Sequence, residues 1–321
     1  MTMRGPDADD LRVYTDAPPQ VHHHSELHSA LHQATVRLTE AGVPSARVDA
    51  ETLACHVLGV DRGRLLAAAY NDTHLPERFW DLIEQRADRV PLQHLIGRVW
   101  FRRIALAVGP GVFIPRPETE DVAGAAIKAA SDVARTGGQP LVVDLGTGCG
   151  AIALAVADEV ANASVVAIEI DPSAYTWAER NVARLDAGAR VHLDLGDAAT
   201  ARPDLIGRAD VVVSNPPYIP PGMQPIDPEV AEHDPEVALF GGGLDGLDLP
   251  RMVLARAAEL LRPGGTVVME HADSQQESIL ALLGNRGWSS IMGWEDLTGR
   301  PRYVTAVNRG TGDGAGHWFV D

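Results

Sequence analysis

Residues 215–218 read Asn-Pro-Pro-Tyr and follow, after Ser214, on the apolar, β-branched run 211–213. Such a run builds a buried strand, and Pro216 and Pro217, which donate no backbone hydrogen bond, must end it. The stiff turn that results presents the Asn215 amide, bare carbonyls and the Tyr218 ring, the groups of a binding device. A second stretch, 142–150, runs from a strand-like segment into Gly146-Thr147-Gly148-Cys149-Gly150. Glycines there permit a tight turn and let a ligand approach the backbone and a helix N-terminus. The spacing departs from the strict dinucleotide fingerprint, because Ala151 stands where that pattern has its third glycine. Glu169 ends the next apolar run, about 20 residues further on, where a carboxylate can accept from both hydroxyls of a ribose. NAD and S-adenosylmethionine both carry that ribose, so the acid indicates an adenosine-type cofactor and leaves the two open. Asp197 lies after the following run and reads in two ways, as an acceptor for an adenine amino group or as a helix N-cap.

These residues reach one place only if strands and helices alternate. Strands are expected at 141–145, 164–169, 191–194, 210–214 and 266–270, with helices at 150–160, 172–185, 249–262 and 274–285. That order predicts an α/β fold with a mostly parallel sheet covered on both faces. The run 302–307 is expected to pair antiparallel at the sheet's end. Upstream, residues 25–90 have helical periodicity, with Leu27, Leu31 and Ala34 on one buried face and Val48, Leu53, Val57 and Leu58 on another. Residues 91–118, where apolar and polar side chains alternate from Val99 to Val108, predict a β-hairpin linker turning at Gly109-Pro110-Gly111. The remaining divisions are a polar extension at 1–24, a main domain at 119–309 and a tail at 310–321. The extension ends in His22-His23-His24, read as a solvated run or a tag remnant and not as a metal site. His56, His94, His192 and His271 show no metal-ligand spacing either.

Composition narrows the partners. The formal charge is −17, and residues 141–321 carry 12 Lys and Arg against 26 Asp and Glu. A nucleic-acid enzyme usually offsets phosphate repulsion with a basic surface, so this balance argues against DNA or RNA as the main substrate. The longest apolar runs fall short of the ~20 residues of a membrane span, and the N-terminus lacks the apolar core of a secretory signal. Two cysteines, Cys55 and Cys149, give no disulfide framework, which fits a cytoplasmic protein.

A glycine loop, an acidic strand end, an Asp loop and Asn-Pro-Pro-Tyr at successive strand ends resemble the class I S-adenosylmethionine-dependent methyltransferases that modify planar amino nitrogens. The flanking segments 89–97, 109–120, 229–242, 262–265 and 297–306 resemble, more narrowly, the protein-(glutamine-N5) methyltransferases of peptide chain release factors. The resemblance covers about residues 27–307. It implies a Rossmann-like, seven-stranded methyltransferase domain preceded by a small all-helical domain that helps grip the substrate. It also implies methyl transfer from S-adenosylmethionine to the glutamine of a Gly-Gly-Gln motif in bacterial class I release factors. By the same resemblance Gly146, Thr147, Gly148, Cys149, Gly150, Glu169, Asp197 and Ala198 hold the cofactor, with Asn215 beside them. Asn215 and Pro216 accept both N–H bonds of the substrate amide, and Pro217 and Tyr218 complete the clamp. A glutamine of a ribosomal protein or, less readily, an adenine amino group would suit the same motif. Two positions depart from the family pattern: Leu95-Ile96 replaces a common Tyr-Ile pair, and Ala198 stands where some members carry an aromatic. Arg116 reads equally as part of a helix start and as a partner for a carboxylate at the cofactor site. Glu118 and Glu120 are explained by the helix dipole.

Overall fold

A computed structural model describes residues 26–68, 73–225, 227–284 and 287–310. The extension 1–24 with its three histidines, and the tail apart from Gly310, lie outside the described residues. The chain divides into two compact units, Met1–Ile83 and Glu84–Asp321. Among the described residues no helix is long and apolar enough to cross a membrane.

The first unit contains α1 (Glu26–Glu40), α2 (Ala46–Leu58), α3 (Arg62–Ala68) and the start of α4 (Glu77–Ala87), within which the division falls. Leu27, Ala34 and Leu38 of α1 are buried, as expected for a helix with apolar residues three to four apart. On α2 the buried stripe is Ala46, Ala50, Leu53 and Ala54, and Val48 is 55% exposed, against expectation. Val48 lies roughly 200° around the helix from Ala50, so both cannot face the same neighbour. Small alanines let α1 and α2 pack closely, while the buried Glu51 is satisfied by Arg47 (2.9 Å) and Arg62 (2.8 Å).

The second unit takes in the end of α4 and then α5 (Leu92–Ile96), followed by β1 (Arg98–Phe101) and β2 (Ile104–Ala107), which pair antiparallel. The hairpin exists, but it reverses at Arg102-Arg103, with Arg102 at φ 51°, and not at Gly109-Pro110-Gly111. Arg102 is held in this unfavourable conformation by Glu120, which accepts from its backbone N–H at 3.0 Å, and by an ion pair with Glu159 (2.5 Å). The Gly-Pro-Gly segment instead lays the chain against Trp177. A Cβ at Gly109 would stand 2.5 Å from that indole, whose Nε1 donates to the Pro110 carbonyl at 3.3 Å.

After α6 (Thr119–Arg135) come β3 (Leu141–Leu145), α7 (Ala151–Glu159), β4 (Ser164–Glu169), α8 (Pro172–Arg184), β5 (Val191–Leu195) and β6 (Ala209–Ser214). Then follow α9 (Pro228–His233), α10 (Asp248–Leu260), β7 (Leu261–Glu270), α11 (Gln276–Gly284), β8 (Trp288–Glu295) and β9 (Pro301–Asn308). The seven-stranded sheet has the order β5-β4-β3-β6-β7-β9-β8. Pairing is parallel from β5 to β7, and β9 runs antiparallel to both β7 and β8. The late strand is therefore antiparallel as expected, but it is not the sheet's end. β8 lies outside it, and its mostly exposed residues leave little apolar period to read in sequence. Alternate residues of β3 and β6 feed opposite cores. Val142, Val211 and Val213 join one cluster with α6 and α7, and Val143, Leu145 and Val212 join the other with α10 and α11. Strands buried on both faces read as near-continuous apolar runs rich in Val, Ile and Leu, and that makes them legible in the sequence.

Candidate active site

The order reverses at β3: β4 and β5 lie to one side of it, β6 and β7 to the other. In an open parallel sheet the crevice forms outside the carboxyl ends at such a switch point. The glycine loop leaves β3 and the Asn-Pro-Pro-Tyr turn leaves its neighbour β6, so the two motifs emerge side by side. They line one cavity of about 280 Å³. Gly146, Thr147, Gly148, Cys149 and Glu169 form its cofactor-type wall, and Asn215, Pro217 and Tyr218 face them. Pro216 is buried and Gly150 starts α7 with φ 87°; neither lines the cavity.

The loop glycines have φ of 76°, 60° and 87° at positions 146, 148 and 150, a region that other residues adopt only with strain. A Cβ at Gly146 or Gly148 would meet no atom within 4 Å, so these glycines keep the space over the loop open. Glu169 fixes the loop from the next strand. Its Oε2 accepts from the Gly148 N–H at 2.7 Å, and its Oε1 from the Ile170 and Asp171 N–H groups at 2.9 Å each. Burial raises the Glu169 pKa, and those backbone hydrogen bonds oppose the rise. Beneath the loop, Asp144 Oδ2 accepts from Thr147 Oγ1 (2.7 Å) and the Ala153 N–H (3.2 Å), while Oδ1 is buried without a partner. Burial pushes its carboxyl up to about 7. The folded state therefore binds this proton more tightly than the unfolded chain, whose Asp titrates near ~3.9. Its contribution to stability is full below that pH and is lost as pH rises to about 7. Urea unfolding across this range is expected to give a shallower loss of stability in Asp144→Asn than in the parent; equal slopes would discount Asp144. Cys149 is buried and its thiol is pushed up to about 12 by burial, so it serves through its backbone. Its carbonyl accepts from Asn181 Nδ2 at 2.9 Å, and Asn181 also holds both backbone groups of Ala107.

The Asn-Pro-Pro-Tyr turn is backed by glycine-rich chain. A Cβ at Gly241 would stand 2.8 Å from the Pro217 carbonyl oxygen, and one at Gly246 would stand 2.3 Å from that of Tyr218. Only glycine permits so close a backbone approach. Gln275 Nε2 ties the two segments, donating to the Tyr218 carbonyl (2.8 Å) and the Asp245 carbonyl (3.0 Å). Asn215 Nδ2 donates to Thr119 Oγ1 at 3.3 Å, and Tyr218 Oη donates to Glu270 Oε1 at 3.4 Å. Burial raises the Tyr218 pKa, with Glu270 adding to it, and the phenol stays protonated.

Arg116 lines the cavity together with Phe113 and stacks over that ring at 5.1 Å. The carboxylate it meets is Asp234, at 2.6 Å. Glu120, in the first turn of α6 as expected, accepts from the Arg102 N–H of the hairpin turn. Asp197 and Ala198 are not brought to the cavity lining. The Asp197 carboxylate accepts from the Ala199 N–H at 2.8 Å and its carbonyl from Thr200 and Ala201; it closes a turn at 198–200, and no helix starts there for it to cap. Phe113, Thr119, Gln275 and Glu270 escaped the sequence reading. Thr119 and Phe113 stood within a segment already singled out, whereas Gln275 and Glu270 carried no local signal.

Residues 119–226 match the family model of a methyltransferase small domain, and residues 29–97 that of a PrmC N-terminal domain. With this sheet order and a glycine loop facing Asn-Pro-Pro-Tyr, the match makes the chain an S-adenosylmethionine-dependent methyltransferase. It is 50% identical over 278 residues to the release factor glutamine methyltransferase of Streptomyces coelicolor, covering 85% of this chain and 95% of that one. It is 45% identical over 286 residues to the enzyme of that name from Mycolicibacterium smegmatis (88% and 98%), and 40% over 288 residues to that from Deinococcus radiodurans (89% and 99%). The chain belongs to the release factor glutamine methyltransferase family.

Proposed function

We propose that this protein methylates the N5 side-chain nitrogen of the glutamine in the Gly-Gly-Gln motif of bacterial class I release factors. The observation that carries the reading is the shared cavity of the glycine loop and the Asn-Pro-Pro-Tyr turn, which leave neighbouring strands. The names of its relatives supply the substrate class.

The residues fit S-adenosylmethionine. Gly146 and Gly148 leave room for a ligand against the backbone, and Glu169, already an acceptor, is placed for ribose hydroxyls. Asp197 serves the adenine amino group through the oxygen that does not cap its turn, with the small Ala198 beside it. When bound, the cofactor supplies a methyl group on a positively charged sulfur. Glu169, which lines the cavity, sets a carboxylate near that charge.

A carboxamide nitrogen is a poor nucleophile because its lone pair is delocalised. Asn215 Oδ1 and the Pro216 carbonyl accept its two N–H bonds, and Tyr218 stacks on the amide plane. These contacts hold the nitrogen in one orientation and stabilise the positive charge it develops, so catalysis rests on positioning and electrostatics. The helical first unit assists in holding the factor, and such a substrate belongs to the cytoplasm. The charge of −17 favours a protein over a nucleic acid.

Incubation with labelled S-adenosylmethionine tests this, using a release factor and the same factor with its Gly-Gly-Gln glutamine changed to alanine. Label on the native factor alone is the expected result. Label on neither, with cofactor bound, would overturn the substrate assignment and turn attention to ribosomal proteins.

A further inference from the structure

A loop built of glycines has little of its own to hold it. Gly146, Gly148 and Gly150 have φ of 76°, 60° and 87°, and each glycine widens the set of conformations open to the chain. On the proposed reading that this loop holds the cofactor, its shape must be imposed from outside; otherwise binding would have to order the loop and would lose affinity. The first half is held from β4. The Gly146 and Thr147 N–H groups donate to the Ile168 carbonyl at 2.9 and 3.0 Å, and the Gly148 N–H donates to Glu169 at 2.7 Å. The second half is held from α8. The Cys149 carbonyl accepts from Asn181 Nδ2 at 2.9 Å, and the other side of the same peptide, the Gly150 N–H, donates to the Thr147 carbonyl at 2.9 Å.

Asn181 is fully buried and does not line the cavity. Its hydrogen bonds leave its amide one direction. Oδ1 accepts from the Ala107 N–H at 2.6 Å, and Nδ2 donates to the Ala107 carbonyl at 3.0 Å. The side chain thus pairs with the end of β2 as a neighbouring strand would. One N–H is left over, and the Cys149 carbonyl takes it.

The same face of α8 carries the chain onward from Ala107. Trp177, one turn before Asn181, donates to the Pro110 carbonyl at 3.3 Å and packs on Gly109. A Cβ at Gly111 would stand 3.3 Å from Ser173, one turn earlier again. Phe113 and Arg116, next along the chain, line the cavity. Of these three α8 residues, Asn181 is the one hydrogen-bonded to the glycine loop as well as to the linker.

We infer that Asn181 is a positioning residue that sets cofactor affinity, locking the Cys149 end of the glycine loop to the linker that supplies Phe113 and Arg116. The cavity is thereby shaped before the cofactor enters. Asn181 reaches no reacting group, so its loss should fall on binding and spare the chemical step at saturating cofactor.

The test compares the parent with Asn181→Leu and Trp177→Phe in the full chain. Titration with S-adenosylhomocysteine, the thermal midpoint and single-turnover transfer to a release factor at saturating S-adenosylmethionine are measured on each. Leu keeps the size and removes all three bonds, so the dissociation constant is expected to rise about tenfold, with the transfer rate within about threefold of the parent. Phe keeps a ring against Gly109 and removes the bond to Pro110. It should lower the midpoint and leave the dissociation constant within about threefold of the parent. If the Leu variant does not fold, Asn181→Ala leaves room for water to serve the three backbone groups and is expected to show the same loss of affinity. A folded Asn181 variant that binds as tightly as the parent would overturn the inference, and so would an equal loss of affinity in Trp177→Phe. Glu169→Gln, titrated alongside, keeps the underlying reading separate: unchanged affinity in that variant would overturn the assignment of the loop to the cofactor, whatever the Asn181 variants show.

Discussion

Replacing Asn215 by Ala is expected to lower kcat for glutamine methylation by about 10³-fold, with the dissociation constant for S-adenosylhomocysteine changing by no more than about threefold. The side chain is placed at the cavity by the end of β6 and the rigid turn behind it, and those do not depend on the amide itself. Its removal takes away an acceptor for an N–H bond that becomes more acidic as the nitrogen gains positive charge. Such an interaction strengthens in the transition state, so its loss falls on kcat more than on binding. Single-turnover transfer and a calorimetric titration of the product cofactor separate the two. Parallel loss of turnover and cofactor binding would mean that Asn215 holds the fold, and the catalytic assignment would go.

The second large effect is expected at Glu169. Its carboxylate collects the N–H groups of Gly148, Ile170 and Asp171, so it shapes the glycine loop as well as facing the cavity. Glu169→Gln replaces one acceptor oxygen by a donor, which must then confront a backbone N–H. Hydrogen bonds to a charged group are worth roughly 1.5–3 kcal/mol each. Losing one to the loop and one to the ribose should weaken cofactor binding by about 10²-fold or more. Titration with S-adenosylhomocysteine reads this directly, with the thermal midpoint recorded beside it. Because burial raises the Glu169 pKa, the parent's cofactor affinity should also decline toward acid pH, where the acid begins to protonate. An affinity unchanged in Glu169→Gln would remove this residue from the cofactor site.

The two substitutions act on opposite walls of one cavity, and their contrast is diagnostic. Asn215→Ala should yield a protein that binds cofactor without turning over. Glu169→Gln should yield one whose defect is relieved in part by raising the cofactor concentration.

Much of this protein is written locally. The positive φ at 146, 148 and 150 demands glycine, two prolines must end a strand, and β-branched runs buried on both faces announce a parallel sheet. These are properties of a few adjacent residues, so the glycine loop, Glu169 and Asn-Pro-Pro-Tyr were visible before any tertiary contact was known. The hairpin turn was misplaced because Arg102 carries no turn signature; it is held by Glu120 and Glu159. The outer strand β8 was missed because an edge strand with one solvated face shows little apolar pattern.

How the motifs are held depends on contacts distant in the chain. Thr119 meets Asn215 across 96 residues, Gln275 meets Tyr218 across 57, and Glu270 meets Tyr218 across 52. A hydrogen bond between residues so far apart depends on which strands lie side by side, and nothing in the local spacing records that order. Local residue types set which groups could do chemistry; the sheet, by making β3 and β6 neighbours, brings them to one cavity.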